Sequence, residues 1–120
     1  MPPPDQISAL PVFIQAFEFT KILLRIVEHM PKVARHSLGI RLINQALNLL
    51  SIILRAQHRD STGGRRRALL EAGELTDELK ILARLSHDAA ALTQRQYIQL
   101  ATLLVEIGNQ IGGWLRESKR

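Results

Sequence analysis

Apolar residues recur at helical spacing along four stretches of the chain, and no stretch alternates as a β-strand would. The pattern predicts helices over about residues 11–30, 33–59, 65–87 and 93–117, with breaks at Pro31, at the 60–64 turn and at a connector near 88–92. Because short connectors place consecutive helices side by side, we expect an all-α, antiparallel up-down-up-down four-helix bundle. Residues 1–10 are predicted to form an extended N-terminal arm, and residues 118–120 a basic tail.

Single residues mark several of the predicted helix ends. Pro11 suits the first turn of a helix, where a missing N–H group costs nothing. Pro31 ends the first helix, because the residue before a proline avoids the helical region of backbone space. Thr93 and Gln96 have the spacing of a capping box, in which each side chain bonds the backbone N–H of the other. The fourth helix is therefore predicted to begin directly after Thr93.

The second helix carries more apolar surface than one buried face requires. One face contains Leu42, Ala46, Leu49, Ile53 and Ala56, and a second contains Ile40, Ile43, Leu47, Leu50 and Leu54. Within the second face, three residues repeat every seven positions (Ile40, Leu47 and Leu54) and form what we term the apolar ladder. Either this helix is central in its own bundle, or the ladder is a subunit interface; we favour the interface, since exposed leucine ladders are costly.

The first helix shows a similar excess of apolar residues. Its predicted core stripe consists of Phe13, Ala16, Phe17, Leu23, Leu24 and Val27. Phe19, Ile22 and Ile26 widen that stripe and are expected to add to the subunit interface.

The last helix ends in an unusual string of residues. Gly108 and Gly112 share one helical face, and Trp114, the only tryptophan, follows them. Because glycine costs about 1 kcal/mol relative to alanine inside a helix, such a string needs a reason. We interpret it as a close-packing device in a self-assembling protein; a frayed C-terminal turn is the alternative.

Composition excludes several chemistries. The chain has no cysteine, which removes disulfides, thiolate catalysis and cysteine metal sites. Its four histidines form no metal-binding pair at helical spacing, and its glycines match no phosphate-binding loop. We therefore expect neither an enzyme nor a cofactor or metal. No secretory signal is evident, and no uninterrupted apolar run approaches the ~18 residues of a membrane span, so a cytoplasmic protein without a membrane partner is expected.

Positive charge is the remaining chemical feature. The formal net charge is +5, which favours an anionic partner such as RNA, DNA or an acidic protein. Arg41, Arg55 and Arg59 lie close together around the second helix, and a triple arginine follows the turn (Arg65, Arg66 and Arg67). Guanidinium groups match phosphate geometry, so these six residues are the candidate binding residues. The alternative is a solvated basic rim.

Several short motifs, taken in order, resemble one protein family. They are Met30-Pro31-Lys32, the 35–39 segment Arg-His-Ser-Leu-Gly, the 72–75 segment Ala-Gly-Glu-Leu with Leu79-Lys80, Gln96-Tyr97, and the closing 107–115 string Ile-Gly-Asn-Gln-Ile-Gly-Gly-Trp-Leu. Together they resemble the accessory variability determinant (Avd) proteins of diversity-generating retroelements. The resemblance covers most of the chain except the first ten residues and the 60–64 turn. One departure is that Asn109 and Gln110 stand where the family often has a basic residue.

The resemblance implies properties that periodicity does not reveal. Avd proteins are similar to four-helix proteins encoded within ribosomal RNA intervening sequences. They form basic homopentamers that bind a reverse transcriptase and nucleic acid and support mutagenic cDNA synthesis without being enzymes. The expected function is therefore that of a non-enzymatic retroelement scaffold. The alternatives are a ribosomal intervening-sequence protein without a reverse-transcriptase partner, and a helical scaffold for an acidic protein.

Overall fold

The structure, a computed structural model, describes residues 10–58 and 62–118, and these form four helices. They are α1 (Pro11–Glu28), α2 (Lys32–His58), α3 (Thr62–Asp88) and α4 (Gln94–Glu117). No strand occurs within the described ranges. The all-α helical bundle expected from the sequence is confirmed. The predicted N-terminal arm, apart from Leu10, and the last two residues of the tail lie outside the described residues.

Two of the predicted helix ends can be compared in detail. The capping box of α4 is present: Thr93 Oγ1 accepts a hydrogen bond from the Gln96 amide at 3.1 Å, and the Thr93 amide donates to Gln96 Oε1 at 2.9 Å. The turn expected at 60–64 is too long, because α3 begins at Thr62 and includes Gly63.

The core follows the predicted stripe of α2 but not that of α1. Leu42, Leu49 and Ile53 are fully buried, as expected for the inner face of α2. In α1 the prediction was partly wrong: Phe17 and Leu24 are 47% exposed, whereas Phe19 and Ile26, expected at a subunit interface, are core residues. The physical reason is that α1 carries apolar residues on more than one face, and its packing against α2 and α4 determines which of these faces is enclosed.

Along two neighbouring helices, residue numbers rise in one helix as those of the contacting residues fall in the other. Along α2 and α3, Arg41 meets Glu78 while Arg55 meets Glu71. Along α1 and α4, Gln15 is bonded to Glu106 and Gln110, and the start of α1 meets the region of Trp114. Each helix thus packs against two neighbours, in the cyclic order α1–α2–α3–α4, so the α1–α2 side and the α3–α4 side are opposite faces.

Near its start, α2 contains a π-helical segment, Arg35–Gly39. Gly39 is buried at the contact between α1 and α2, and a Cβ atom placed there would lie 2.7 Å from Val27 Cγ1 and 3.4 Å from Met30 Sδ. Glycine is therefore needed for close approach of the two helices. Its backbone dihedral angles do not require it, because no described glycine has a positive φ.

Length and composition alone would allow α2 to cross a membrane, since its mean hydropathy reaches 1.4. This differs from the expectation that no stretch approaches the properties of a membrane span. The same criteria are met by core helices of bundles, and α2 supplies a buried stripe to this core (Leu42, Leu49, Ile53). One such helix is weak evidence for a membrane location.

Candidate interaction surfaces

The two described arginines predicted on α2 are both engaged with α3. Arg41 donates from Nε to Glu78 Oε2 at 3.0 Å, with its Nη2 2.8 Å from the same oxygen. Arg55 Nη2 lies 3.5 Å from Glu71 Oε2. Gln45 extends the network by donating to Glu78 Oε1. These arginines therefore form a charge-compensated edge between α2 and α3, and their mutual separation of fourteen residues is about 21 Å along the helix.

The triple arginine lies at the end of the bundle where α2 stops and α3 begins, which we term the α2–α3 end. Arg65 donates from Nε to the Ala56 carbonyl at 3.0 Å, and its guanidinium carbon is 5.9 Å from the centroid of the Trp114 ring. Arg67 is exposed, and Arg66 is half-buried. The buried Nη1 of Arg66 has no hydrogen-bond partner within the described part of the chain. Arg59, the sixth candidate, lies outside the described residues.

Ion pairing separates the described cations into two groups. Five pair with carboxylates: Lys21, Arg41, Lys80, Arg55 near the end of α2, and Arg84 near the end of α3. At the two ends, several form no ion pair with another described residue: Arg25, Lys32, Arg35, Arg66, Arg67, Arg95 and Arg116. The sequence analysis did not identify Arg116, nor the four cations at the opposite end of the bundle (Arg25, Lys32, Arg35 and Arg95). Whether a cation is paired depends on carboxylates of other helices, and the local sequence does not show these.

Among the described residues near the helix ends, cations without an ion pair outnumber the carboxylates without one, Glu28 and Glu117. Arg84 represents the paired group, since its pKa is raised above its ordinary value by a hydrogen bond and charge interaction with Asp88. No group of three metal-ligating side chains occurs among the residues that the structure describes.

The predicted apolar ladder lies on the surface of the subunit. Ile40 is 46% exposed, Leu47 47% and Leu54 38%. Ile40 and Leu54 each directly precede an arginine that reaches α3, so they are turned about 100° away from α3. That rotation directs the ladder to the α1–α2 side, where exposed apolar residues of α1 extend it (Ile14, Phe17, Leu24).

A second exposed apolar surface, on the opposite α3–α4 side, was not predicted. It is formed by Leu70, Ile81, Ile98 and Val105, each about half exposed or more. The sequence signal is a surplus of apolar positions on α3 and α4 beyond those that are buried in the core. The subunit thus has two apolar faces separated by polar edges.

The closing string occupies two different environments. Trp114 is half-buried and packs on the core. Gly108 and Gly112 face outward between α3 and α4, where a Cβ at Gly108 would contact only the side chains of Lys80 and Thr76, at 3.6 and 3.8 Å. No backbone of the described chain approaches the glycine face closely. Any close packing against it must come from outside the subunit.

The fold and these surfaces define a class: a basic helical bundle with exposed apolar faces and no recognisable catalytic or metal-binding group among its described residues. A family model described as bAvd-like matches residues 13–118, and the chain therefore belongs to the bAvd-like family. This confirms the resemblance to Avd proteins. No curated protein matches the chain.

Proposed function

We propose that this protein is the non-enzymatic accessory subunit of a diversity-generating retroelement, acting in the cytoplasm as a basic oligomeric scaffold. In this role it binds the reverse transcriptase together with RNA or DNA and supports mutagenic cDNA synthesis. Membership of the bAvd-like family supports the assignment to such a retroelement. The polymerase chemistry belongs to the partner, and the scaffold contributes binding.

The observation that carries the binding role is the uncompensated charge at the α2–α3 end. Arg66 has a buried Nη1 donor without a partner in the described chain, and Arg67 is exposed beside it in sequence. Because this donor is closed off from solvent, it gains an external acceptor such as a phosphate or carboxylate oxygen only when the Arg66 side chain turns outward, and that bond would then offset a cost of about 1–3 kcal/mol. Arg41 and Arg55, by contrast, would have to leave Glu78 and Glu71 before binding an anion.

The resemblance to Avd proteins implies a homopentamer, and the two apolar faces support self-association without fixing the number of subunits. A lone subunit would expose Leu47, Phe17 and Ile81 to water, at a cost of about 25 cal/mol for each Å² of apolar surface. Light scattering should give the mass of five 13.5 kDa subunits, or about 68 kDa. A monomer at micromolar concentration would contradict this part of the proposal.

Two double variants with the same net charge test the binding surface. R66Q/R67Q removes two arginines at the α2–α3 end, and R41Q/R84Q removes two paired arginines away from that end as a matched control. Retention of labelled single-stranded RNA and of the retroelement's reverse transcriptase is measured between about 50 and 200 mM salt. We expect R66Q/R67Q to lose retention and to lower the salt slope by about 1.4, the value for two phosphate contacts, with the control close to wild type.

The possible results separate the proposed function from its rivals. Equal loss in both variants would indicate a diffuse basic surface, and loss only in R41Q/R84Q would assign binding to the paired arginines instead of the α2–α3 end. RNA retention without reverse-transcriptase retention would favour a ribosomal intervening-sequence protein. No RNA retention by the wild type at low salt would favour an acidic protein partner. Circular dichroism on each variant checks that helicity is unchanged.

A further inference from the structure

An open groove runs between α3 and α4 on the second apolar face. It has a volume of about 390 Å³ and is lined by Leu70, Gly73, Glu74, Asp77, Gly108 and Gly112, among other residues. A Cβ added at Gly73 would meet no atom within 4 Å, and one at Gly112 would meet only its own helix's Arg116 side chain. The groove therefore exists because these positions lack side chains, and it remains open in the isolated subunit.

The opposite α1–α2 face carries an exposed aromatic side chain, Phe17, which we term the projection. Phe17 is 47% exposed, and its ring stacks on Phe13 at a centroid distance of 6.0 Å. Lys21 holds its ammonium nitrogen 5.7 Å from the Phe17 centroid. Phe17 points away from α4, since Gln15, two residues earlier, bonds that helix and two residues turn a helix by about 200°.

The projection and the groove lie at the same height along the bundle. Gln110 Nε2 donates to Gln15 Oε1 at 2.7 Å, which fixes one common level of α1 and α4. Phe17 lies two residues after Gln15, and Gly108 lies two residues before Gln110 on the antiparallel helix. Both are therefore displaced by about 3 Å in the same direction. A ring whose rotation axis is parallel to the bundle keeps every residue at its own height, so these two features can meet.

Charge on the two faces is partly complementary. Lys21 lies beside Phe17 and pairs with Glu18 of its own helix at 2.9 Å, whereas Glu74 lines the groove together with Asp77 and Lys80. Glu74 forms no ion pair with any other residue of the described chain, and Asp77 pairs only loosely with Lys80, at 3.8 Å. A second copy that inserts Phe17 would therefore bring Lys21 close to acidic groups that are poorly neutralised in the subunit.

We infer that the occupant of the groove is the Phe17 side chain of a second copy of this chain. The α1–α2 face of one subunit then packs head-to-tail against the α3–α4 face of the next, with the glycines admitting the aromatic ring. The two surfaces differ, so the contact is heterologous and builds a closed ring when the rotation closes. This inference rests on the assembly in the proposed function and specifies which surfaces form it.

A groove-filling variant tests the contact without harming the subunit. In G73L the new side chain enters open space, and leucine is a better helix former than glycine by close to 1 kcal/mol. We expect G73L to keep its helicity and to run as a monomer of about 13.5 kDa where the wild type is oligomeric. The matched control is G63L, because Gly63 also has open space around it but lies at the start of α3, outside the groove.

Mixing two variants tests the head-to-tail arrangement itself. F17E has an intact groove but presents a carboxylate to Glu74 and Asp77, and G73L has an intact projection but a filled groove. Each alone should be monomeric, and an equal mixture should form a dimer of two 13.5 kDa subunits and nothing larger. If G73L assembles as the wild type does, or if the mixture rebuilds full-size rings, the inference is overturned.

The same samples separate this inference from the proposed function. An oligomeric G73L that still retains RNA and reverse transcriptase would overturn the groove contact and leave the proposed function in place. A wild-type protein that is monomeric in light scattering would overturn both. Native mass spectrometry of the mixture gives the stoichiometry directly.

Discussion

Gly39 offers the sharpest test of how this bundle is packed. Replacing it by alanine adds a single Cβ atom at the contact between α1 and α2. That atom would lie 2.7 Å from Val27 Cγ1 and 3.4 Å from Met30 Sδ. The methionine end is flexible and can move aside, but Val27 is 4% exposed and is enclosed by the core. The two helices must therefore separate locally, or Val27 must leave its preferred rotamer.

The expected magnitude follows from two opposing contributions. Overpacking a well-packed core by one methyl group costs about 1–3 kcal/mol. Alanine gains up to about 1 kcal/mol over glycine in a helix, although the π-helical segment around Gly39 reduces that gain. G39A should therefore lower the free energy of unfolding by about 1–2 kcal/mol. The control G63A, with no atom within 4 Å of its new Cβ, should be neutral or slightly stabilising.

The assay is urea unfolding followed by circular dichroism at one fixed protein concentration, because assembly contributes to apparent stability. V27A removes the atom that G39A would strike, and alone it should cost about 1–3 kcal/mol through the cavity that it leaves. In the G39A/V27A double variant the new methyl group enters that cavity. The double variant should be about 1 kcal/mol more stable than the sum of the two single effects predicts.

Two results would refute this reasoning. If G39A were as stable as G63A, the close approach of α1 and α2 at Gly39 would not constrain the fold. If the G39A and V27A effects were simply additive, the Gly39–Val27 contact would not be the source of the destabilisation.

Three further predictions concern the same bundle. T93A should lower the free energy of unfolding by about 1 kcal/mol by removing the capping box of α4, while T93S, which keeps the hydroxyl, should stay near wild type in urea unfolding. L104A, at a fully buried position, should cost about 2–5 kcal/mol, whereas L85A, at a position 51% exposed on the α2 side of α3, should cost well under 1 kcal/mol; equal costs would contradict the exposure of Leu85. A double-mutant cycle on Arg41 and Glu78 should give a coupling of at most about 1 kcal/mol, because Arg41 is 59% exposed; a larger value would mean that this edge is shielded from solvent.

Much of the fold could be predicted from residue patterns. The 3.6-residue periodicity located all four helices, the spacing of Thr93 and Gln96 located the capping box, and the inner face of α2 was assigned correctly. The apolar ladder was also identified as surplus surface, and it is exposed in the subunit (Ile40, Leu47, Leu54). These features are local: each depends on residues within one or two helical turns, so the sequence contains the information directly.

The candidate binding residues were harder to assign, because their environment depends on other helices. Arg41 and Arg67 are equivalent as isolated arginines, yet Arg41 bonds Glu78, thirty-seven positions away, while Arg67 forms no ion pair in the described chain. The orphaned Nη1 of Arg66 likewise results from how α3 packs, not from its neighbours in sequence.

By itself, then, the sequence determined the helices, their caps, the buried face of α2 and the absence of cysteine chemistry, since periodicity and residue type suffice for these. Tertiary structure alone decided which face of α1 is enclosed, which arginines are neutralised, why residue 39 must be glycine, and that Gly73, Gly108 and Gly112 share an open groove opposite Phe17. The physical reason is that each of these properties is a relation between helices, set by their packing order and relative height, and is not encoded within any single helix.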